Sequence, residues 1–354
     1  MTPAAELFEP LPIQAVGARL RAARFAADPA APPRGVCVLL NGQTEFIEKY
    51  FEVIDELRGR GFAVATLDWR GQGGSLRVLD DPLKGFVTDF AEYDEDLETL
   101  MNWIVTPMLQ EAQARLPRVP PGTGGGGFGR LEKAPVELFP PEPERVSAKE
   151  TEGVNLIAVA HSMGAHNLLR YLARKPDAFA RVVLSTPMIA VSLRGTAEWL
   201  ARAVTFAKNR FGRGGGWVWG MEDRDPLGMA FEKQIVTSDP VRFGHVQSLL
   251  QANPDIRLAG ATWSWLAAAF RSMDWLSAPG RAEGITTPAL LIGAGKDRIV
   301  LTPATEKFAA RMPHAEYLRI DGAEHEILME RDSFRRQWWA AFDRFMAQQK
   351  APAD

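Results

Sequence analysis

A mostly parallel β-sheet with helices on both faces, and a helical segment inserted over it, is the α/β fold that this 354-residue sequence predicts. Three observations predict it. Short apolar runs alternate with helical patterns through most of the chain, as parallel strands joined by helical crossovers require. The run at 154–160 leads through Ala160-His161-Ser162-Met163-Gly164 into a helical pattern, which makes a strand, a tight turn carrying serine, and a helix. Between two later strand runs, residues 188–284 break the alternation and hold Trp199, Trp217, Trp219, Trp263, Trp265 and Trp275, six of the ten tryptophans.

Each element has its own warrant. Residues 13–25 alternate weakly and fit an antiparallel hairpin at one sheet edge. The run at 36–40 is a buried strand, and Cys37 within it is the only cysteine, so no internal disulfide forms and a reducing compartment fits. Residues 46–60 place Phe46, Ile47, Tyr50, Phe51, Ile54 and Leu57 at helical spacing, closed by Gly61. After the strand at 62–67, Asp68-Trp69-Arg70-Gly71-Gln72-Gly73-Gly74-Ser75 is a tight loop in which Asp68 and Arg70 read as an ion pair or a loop clamp. Helical patterns recur at 90–104, 163–174, 305–312 and 333–346, and strand runs at 182–185, 289–292 and 317–320. The stretch 116–146 is rich in glycine and proline and cannot bury enough apolar surface to order itself. Within it Gly122, Gly124 and Gly127 match a dinucleotide-loop spacing, but prolines stand where the preceding buried strand would be required. Gly214-Gly215-Gly216 reads as a hinge or turn. The organisation expected is a core in two parts, 1–187 and 285–354, separated by a helical cap at 188–284.

Composition narrows the function. A hydrophobic content of 46% supplies a core, and a net charge of −3 with scattered arginines gives no basic field for nucleic acid. The start, Met1-Thr2-Pro3-Ala4-Ala5-Glu6, lacks the basic and apolar regions of a leader, and no stretch approaches the roughly 20 apolar residues of a spanning helix. A cytoplasmic protein is expected, either free or peripheral at the inner face of the membrane. Oligomeric state is left open.

A serine held on a strained turn between a buried strand and a helix N-terminus suits acyl transfer, because the helix dipole favours negative charge on the attacked group. Serine needs a base and a carboxylate that orients the base. Of the five histidines, His161 adjoins the serine on a sharp turn and should point away from it. His166 lies one turn into the helix, and His314 sits in a surface turn. His325, in the loop directly after the last strand, is the candidate base. Asp297, just past the strand at 289–292, is a common kind of turn residue on its own. With Ser162 and His325 it becomes the candidate carboxylate, ahead of Glu324 and Glu326, which as neighbours of His325 reach its ring poorly. The backbone N–H groups of Met163 and of Gln43, in Asn41-Gly42-Gln43-Thr44-Glu45, are candidate donors to the developing oxyanion. No metal-ligand spacing appears, and this chemistry requires no cofactor.

The Asn-Gly-Gln-Thr-Glu loop, Asp68-Trp69-Arg70-Gly71-Gln72-Gly73, Ala-His-Ser-Met-Gly, Gly295-Lys296-Asp297 and Gly322-Ala323-Glu324-His325-Glu326-Ile327-Leu328 together resemble the serial motifs of the bacterial lysophospholipase and monoacylglycerol lipase group of α/β-hydrolases. Segments 237–242 and 258–265 resemble the lysophospholipase branch. Asn41 stands where relatives often have histidine, and Ala160 and Ala165 where they often have glycine. The resemblance implies the α/β-hydrolase fold, a triad of Ser162, Asp297 and His325, and oxyanion donors at Gln43 and Met163. It implies a serine ester hydrolase that frees a fatty acid from a small lipid or ester substrate and makes transient contact with a membrane surface. An acyltransferase, a thioesterase or a small-ester esterase would use the same residues, and a non-catalytic binding module is the alternative from another class.

Overall fold

The computed structural model describes residues 2–115, 154–193, 195–221 and 225–348, so the run at 116–146, with Gly122, Gly124 and Gly127, lies outside the described residues. After a short helix α1 (Pro3–Glu6), strands β1 (Leu11–Ala15) and β2 (Ala18–Phe25) form the expected edge hairpin, turned at Gly17 with φ 71°. β3 (Gly35–Leu40), β4 (Phe62–Asp68), β6 (Asn155–His161), β7 (Arg181–Ser185), β9 (Ala289–Ala294) and β10 (Ala315–Ile320) complete an eight-stranded sheet in the order β1-β2-β4-β3-β6-β7-β9-β10. β1, β2 and β4 pair antiparallel, and every other neighbouring pair is parallel. Two short strands, β5 (Lys84–Gly85) and β8 (Gly260–Ala261), pair with each other away from the sheet.

Alternating side chains put an apolar layer on each face. Val36, Val38 and Leu40 of β3 pack with α3 (Ala91–Leu100) and α5 (Ser162–Leu172); Cys37 and Leu39 pack with α2 (Phe51–Gly59) and α10 (Asp332–Ala347). Cys37 is fully buried, and burial pushes its thiol pKa up. The helix expected at 90–104 is α3 continued through a wide π turn (Met101–Val105) into α4 (Thr106–Ala114), and the turn lies just before Pro107, which has no N–H to give an α-helical bond. α9 (Thr302–Ala309) connects β9 to β10.

Sheet order decides where a site can form. From β3 the chain crosses to β4 on one side and later returns to β6 on the other, so the C-terminal ends of β3 and β6 bound the crevice at the strand-order reversal. The chain between β7 and β9 carries α6 (Glu198–Arg210), α7 (Pro240–Ala252) and α8 (Trp263–Ser277), and its Val236 carbonyl accepts from the Glu326 N–H at 2.8 Å near that edge. Trp263 and Trp265 of α8 are buried, and Trp265 Nε1 donates to the Tyr93 hydroxyl at 3.2 Å against the core. Trp217 and Trp275 are half-buried, whereas Trp199 and Trp219 face solvent. Arg242 in the first turn of α7 ties this segment to Glu52 on α2 and Asp332 on α10, at 2.7 and 2.8 Å.

Asp68 and Arg70 clamp the loop between them without pairing with each other. Asp68 accepts from Arg21 Nε at 2.6 Å and from the N–H groups of Ile47 and Gly74 at 2.9 and 2.8 Å, and burial raises its pKa to about 6. Arg70 Nε donates to Asp96 Oδ1 at 2.8 Å. Both partners come from elements remote in sequence, which an ion-pair reading of near neighbours misses.

Candidate active site

Ser162 begins α5 with φ 51°, a left-handed conformation that a non-glycine residue holds only when its surroundings enforce it. The enforcement is steric. An ideal Cβ at Gly164 would lie 2.3 Å from the Asn41 carbonyl oxygen and 2.7 Å from that of Leu40, so β3 and α5 cross here with room only for hydrogen. On the other side Met188 N–H donates to the Ser162 carbonyl at 3.1 Å.

The structure brings Ser162, His325 and Asp297 together from the ends of β6, β10 and β9. His325 Nε2 lies 2.9 Å from Ser162 Oγ, and His325 Nδ1 lies 2.7 Å from Asp297 Oδ2. A carboxylate only accepts, so Nδ1 carries the hydrogen and Nε2 is free to accept the serine proton. Asp297 Oδ1 accepts from the N–H groups of Ile299 and Val300 at 2.8 and 2.9 Å. Burial would raise the Asp297 pKa, but the His325 hydrogen bond and charge, with those two N–H groups, outweigh it and hold it below the ordinary value. The rivals are engaged elsewhere: Glu324 pairs with Arg298 at 3.3 Å and Glu326 with Lys49 at 2.6 Å.

Met163 is the second residue of α5, so its N–H has no acceptor within the helix. Gln43 sits in the loop after β3. An ideal Cβ on the preceding Gly42 would approach Ser162 Cβ to 3.1 Å, so this backbone rests directly against the serine. Asn41 anchors the loop from beneath, donating to the Leu67 carbonyl at 3.0 Å while its own carbonyl accepts from Trp69 Nε1 at 2.9 Å.

The other histidines lie outside the relay. His314 and His245 are exposed. His166 is buried, with Nδ1 2.8 Å from the Met188 carbonyl and Nε2 2.6 Å from Ser272 Oγ, and so joins α5 to α8. Burial first, and the Arg170 charge second, lower its pKa to about 3. His161 points away from the serine hydroxyl, as expected, but into a buried group: its Nδ1 meets Glu45 Oε2 at 2.9 Å. Two supports escaped the sequence reading. Thr186, at φ 42°, donates through Oγ1 to the His325 carbonyl at 3.0 Å, and Glu45 and Lys49 pack beneath the Gln43 loop. Thr186 carries no motif signal; Glu45 lies within the Asn-Gly-Gln-Thr-Glu string.

The family model described as "Serine aminopeptidase, S33" matches residues 31–130 and 144–332. The chain belongs to that family. This S33-family chain is 24% identical over 342 residues to the probable lysophospholipase L2 of Haemophilus influenzae, covering 96% of this chain and 93% of that protein. It is 26% identical over 307 residues to lysophospholipase L2 of Escherichia coli K12, covering 85% and 76% respectively. A crystal structure of a soluble variant of the monoglyceride lipase of Saccharomyces cerevisiae with a substrate analogue superposes with a TM-score of 0.67 at 18% identity, covering 96% of this chain and 94% of that one. The S33 chain therefore has the α/β-hydrolase fold.

Proposed function

We propose that this chain is a serine carboxylic-ester hydrolase that releases a fatty acid from a lysophospholipid or a monoacylglycerol. The observation that carries the reading is the unbroken relay from Ser162 Oγ through His325 to Asp297 at the crevice of the sheet. His325 Nε2 takes the hydroxyl proton as Ser162 Oγ attacks the ester carbonyl. The N–H groups of Met163 and Gln43 receive the resulting oxyanion. His325 then gives the proton to the departing glycerol oxygen, leaving the acyl group on Ser162. Water, deprotonated by the same histidine, releases the fatty acid and restores the serine.

Residues 188–284 act as a cap over a core formed by 1–187 and 285–354. On the cap, Trp199, Leu200, Phe206 and Phe211 lie exposed along α6 and its C-terminal end, with Trp219 nearby and the exposed Arg210 and Arg213 at the same end. Exposed aromatic rings beside arginines suit transient contact with a lipid surface. Among the described residues no helix is long and apolar enough to cross a membrane.

The test is hydrolysis of a short p-nitrophenyl ester, a lysophosphatidylcholine, a monoacylglycerol and an aminoacyl p-nitroanilide by the wild type and by Ser162→Ala. Fatty acid release from a lipid, lost by at least about 10⁴-fold in the variant, is expected. Turnover of the anilide alone would replace the ester reading with an aminopeptidase one, and short-ester cleavage without lipid cleavage would favour a small-ester esterase.

A further inference from the structure

Beneath the crevice lies a cluster of charged groups that the Ser162 chemistry does not use. Glu45 Oε2 accepts from the Gly42 N–H, from the Tyr50 hydroxyl at 2.7 Å and from His161 Nδ1 at 2.9 Å. Glu45 Oε1 accepts from Lys49 Nζ at 2.7 Å, and the same ammonium reaches Glu326 Oε1 at 2.6 Å. The side chains of Glu45, Lys49 and Glu326 are only 2%, 6% and 12% exposed.

We infer that Glu45, Lys49 and Glu326 are positioning residues, a buried carboxylate–ammonium–carboxylate bridge that fixes the loop carrying Gln43 against the loop carrying His325. The inference rests on the serine-hydrolase reading above. Stability alone does not account for the cluster, because buried charge pairs often contribute no more than apolar residues of the same volume. Geometry does. The Gln43 loop leaves β3 and the His325 loop leaves β10, and three strands, β6, β7 and β9, stand between them in the sheet. No sheet ladder sets the distance between those two loops, whereas the bridge spans it directly.

One carboxylate touches every moving part. Through Gly42 it holds the residue before Gln43, and through His161 it holds the residue before Ser162. Through Lys49 it reaches Glu326, the residue after His325, whose N–H is fixed in turn to the Val236 carbonyl at 2.8 Å. His161 Nε2 also faces the His325 carbonyl at 3.4 Å, with the two rings 4.9 Å apart. Burial opposes charge on all these groups, yet Lys49 and His161 hold Glu45 well below the ordinary carboxylate range, and Glu326 and Glu45 hold Lys49 up at about 12. Glu45 and Lys49 are therefore both charged throughout the neutral range. A displaced oxyanion donor typically costs about 100- to 1,000-fold in rate, so a loosened one should cost tens-fold.

The experiment compares the wild type, Ser162→Ala, Glu45→Gln, Lys49→Met, Lys49→Arg and Tyr50→Phe. It measures kcat and KM on p-nitrophenyl butyrate, inhibition by an alkyl trifluoromethyl ketone, and Tm. The ketone forms a hemiketal whose oxyanion sits on the same N–H groups as the transition state. In Glu45→Gln one amide end must either turn an NH2 toward Lys49 or lose the Gly42 N–H, so the network breaks in both orientations. For Glu45→Gln and Lys49→Met, kcat should fall about 30-fold with KM within about threefold, and the ketone's inhibition constant should rise in step. Lys49→Arg, which keeps the cation, should recover most of the loss. Folded variants with kcat and inhibition within about threefold of wild type would overturn the inference, because a purely structural cluster moves Tm and not these two quantities together. If those two variants fail to fold, Tyr50→Phe decides: it removes one neutral donor from Glu45, and kcat about three- to tenfold lower is expected, while no change in kcat or inhibition overturns the inference. Failure of the underlying reading is distinct, since the wild type would then show no Ser162-dependent turnover.

Discussion

Two regions of this chain treat water in opposite ways. Along the crevice edge Ser162 and His325 are 8% and 4% exposed, and their polar atoms are tied to one another and to the strand ends. On α6 and at its C-terminal end, Trp199, Phe206 and Phe211 are 72%, 72% and 77% exposed, although these are the side chains that burial would reward most. Under the proposed function the difference separates two tasks. Moving a proton between serine, histidine and a leaving group needs fixed dipoles with little solvent to reorganise. Meeting an aggregated lipid needs apolar area kept available. The two surfaces can therefore be broken separately.

The largest effect should come from the relay. In Asp297→Asn the carboxamide oxygen must stay on the Ile299 and Val300 N–H groups, which leaves the NH2 facing His325 Nδ1. Histidine then adopts the tautomer with hydrogen on Nε2 and cannot accept the Ser162 proton. A fall in kcat of about 10⁴-fold is expected, with Tm little changed, in steady-state assays on a short ester. A fall below about tenfold would show that Asp297 is not the orienting carboxylate.

Next is the apolar face. Replacing Trp199, Phe206 and Phe211 together by serine removes three large rings from any lipid contact. Each ring loses part of the roughly 1.5–3 kcal/mol of full burial, so binding to sedimented phosphatidylglycerol-containing vesicles should weaken about 100-fold. The ratio of lysolipid to short-ester turnover should drop with it. An unchanged ratio together with unchanged sedimentation would assign the patch to another partner and break the comparison.

How much of this was legible in the sequence follows from the reach of each interaction. Ser162, Asp297 and His325 each sit immediately past a strand run, and strands are readable from local apolar patterning, so their convergence follows from a parallel sheet. The Glu45 bridge was not legible, because it joins β3 and β10 loops across three strands and leaves no periodic mark. Asp68 and Arg70 show the same limit: their roles as clamps could be read, but Arg21 and Asp96 as partners could not. The tryptophans between β7 and β9 mark that segment by composition, while the division into the buried Trp263 and Trp265 and the exposed Trp199 and Trp219 depends on helix orientation.

The smallest effect sharpens the seam between the regions, where His166 of α5 meets Ser272 of α8. A carbonyl only accepts, so His166 Nδ1–H donates to Met188 and Nε2 accepts from Ser272, whose oxygen also accepts from Arg170 Nη1 at 3.0 Å. The Ser272 bond requires the neutral ring, because a protonated Nε2 cannot accept. With the folded-state pKa lowered to about 3, against about 6.5 when unfolded, the unfolded chain binds the extra proton between those values. The contribution to stability is thus complete above about pH 6.5 and is lost as pH falls toward 3, with a slope of at most about 1.4 kcal/mol per pH unit. Asp68 and Asp96, both raised to about 6 by burial, act in the opposite sense, so the wild-type profile alone does not isolate the histidine. The difference between wild type and His166→Gln does. Measured by urea unfolding at pH 7.5 and pH 5.0, the stability gap should narrow on acidification. A gap independent of pH would mean that the seam tolerates the charged ring.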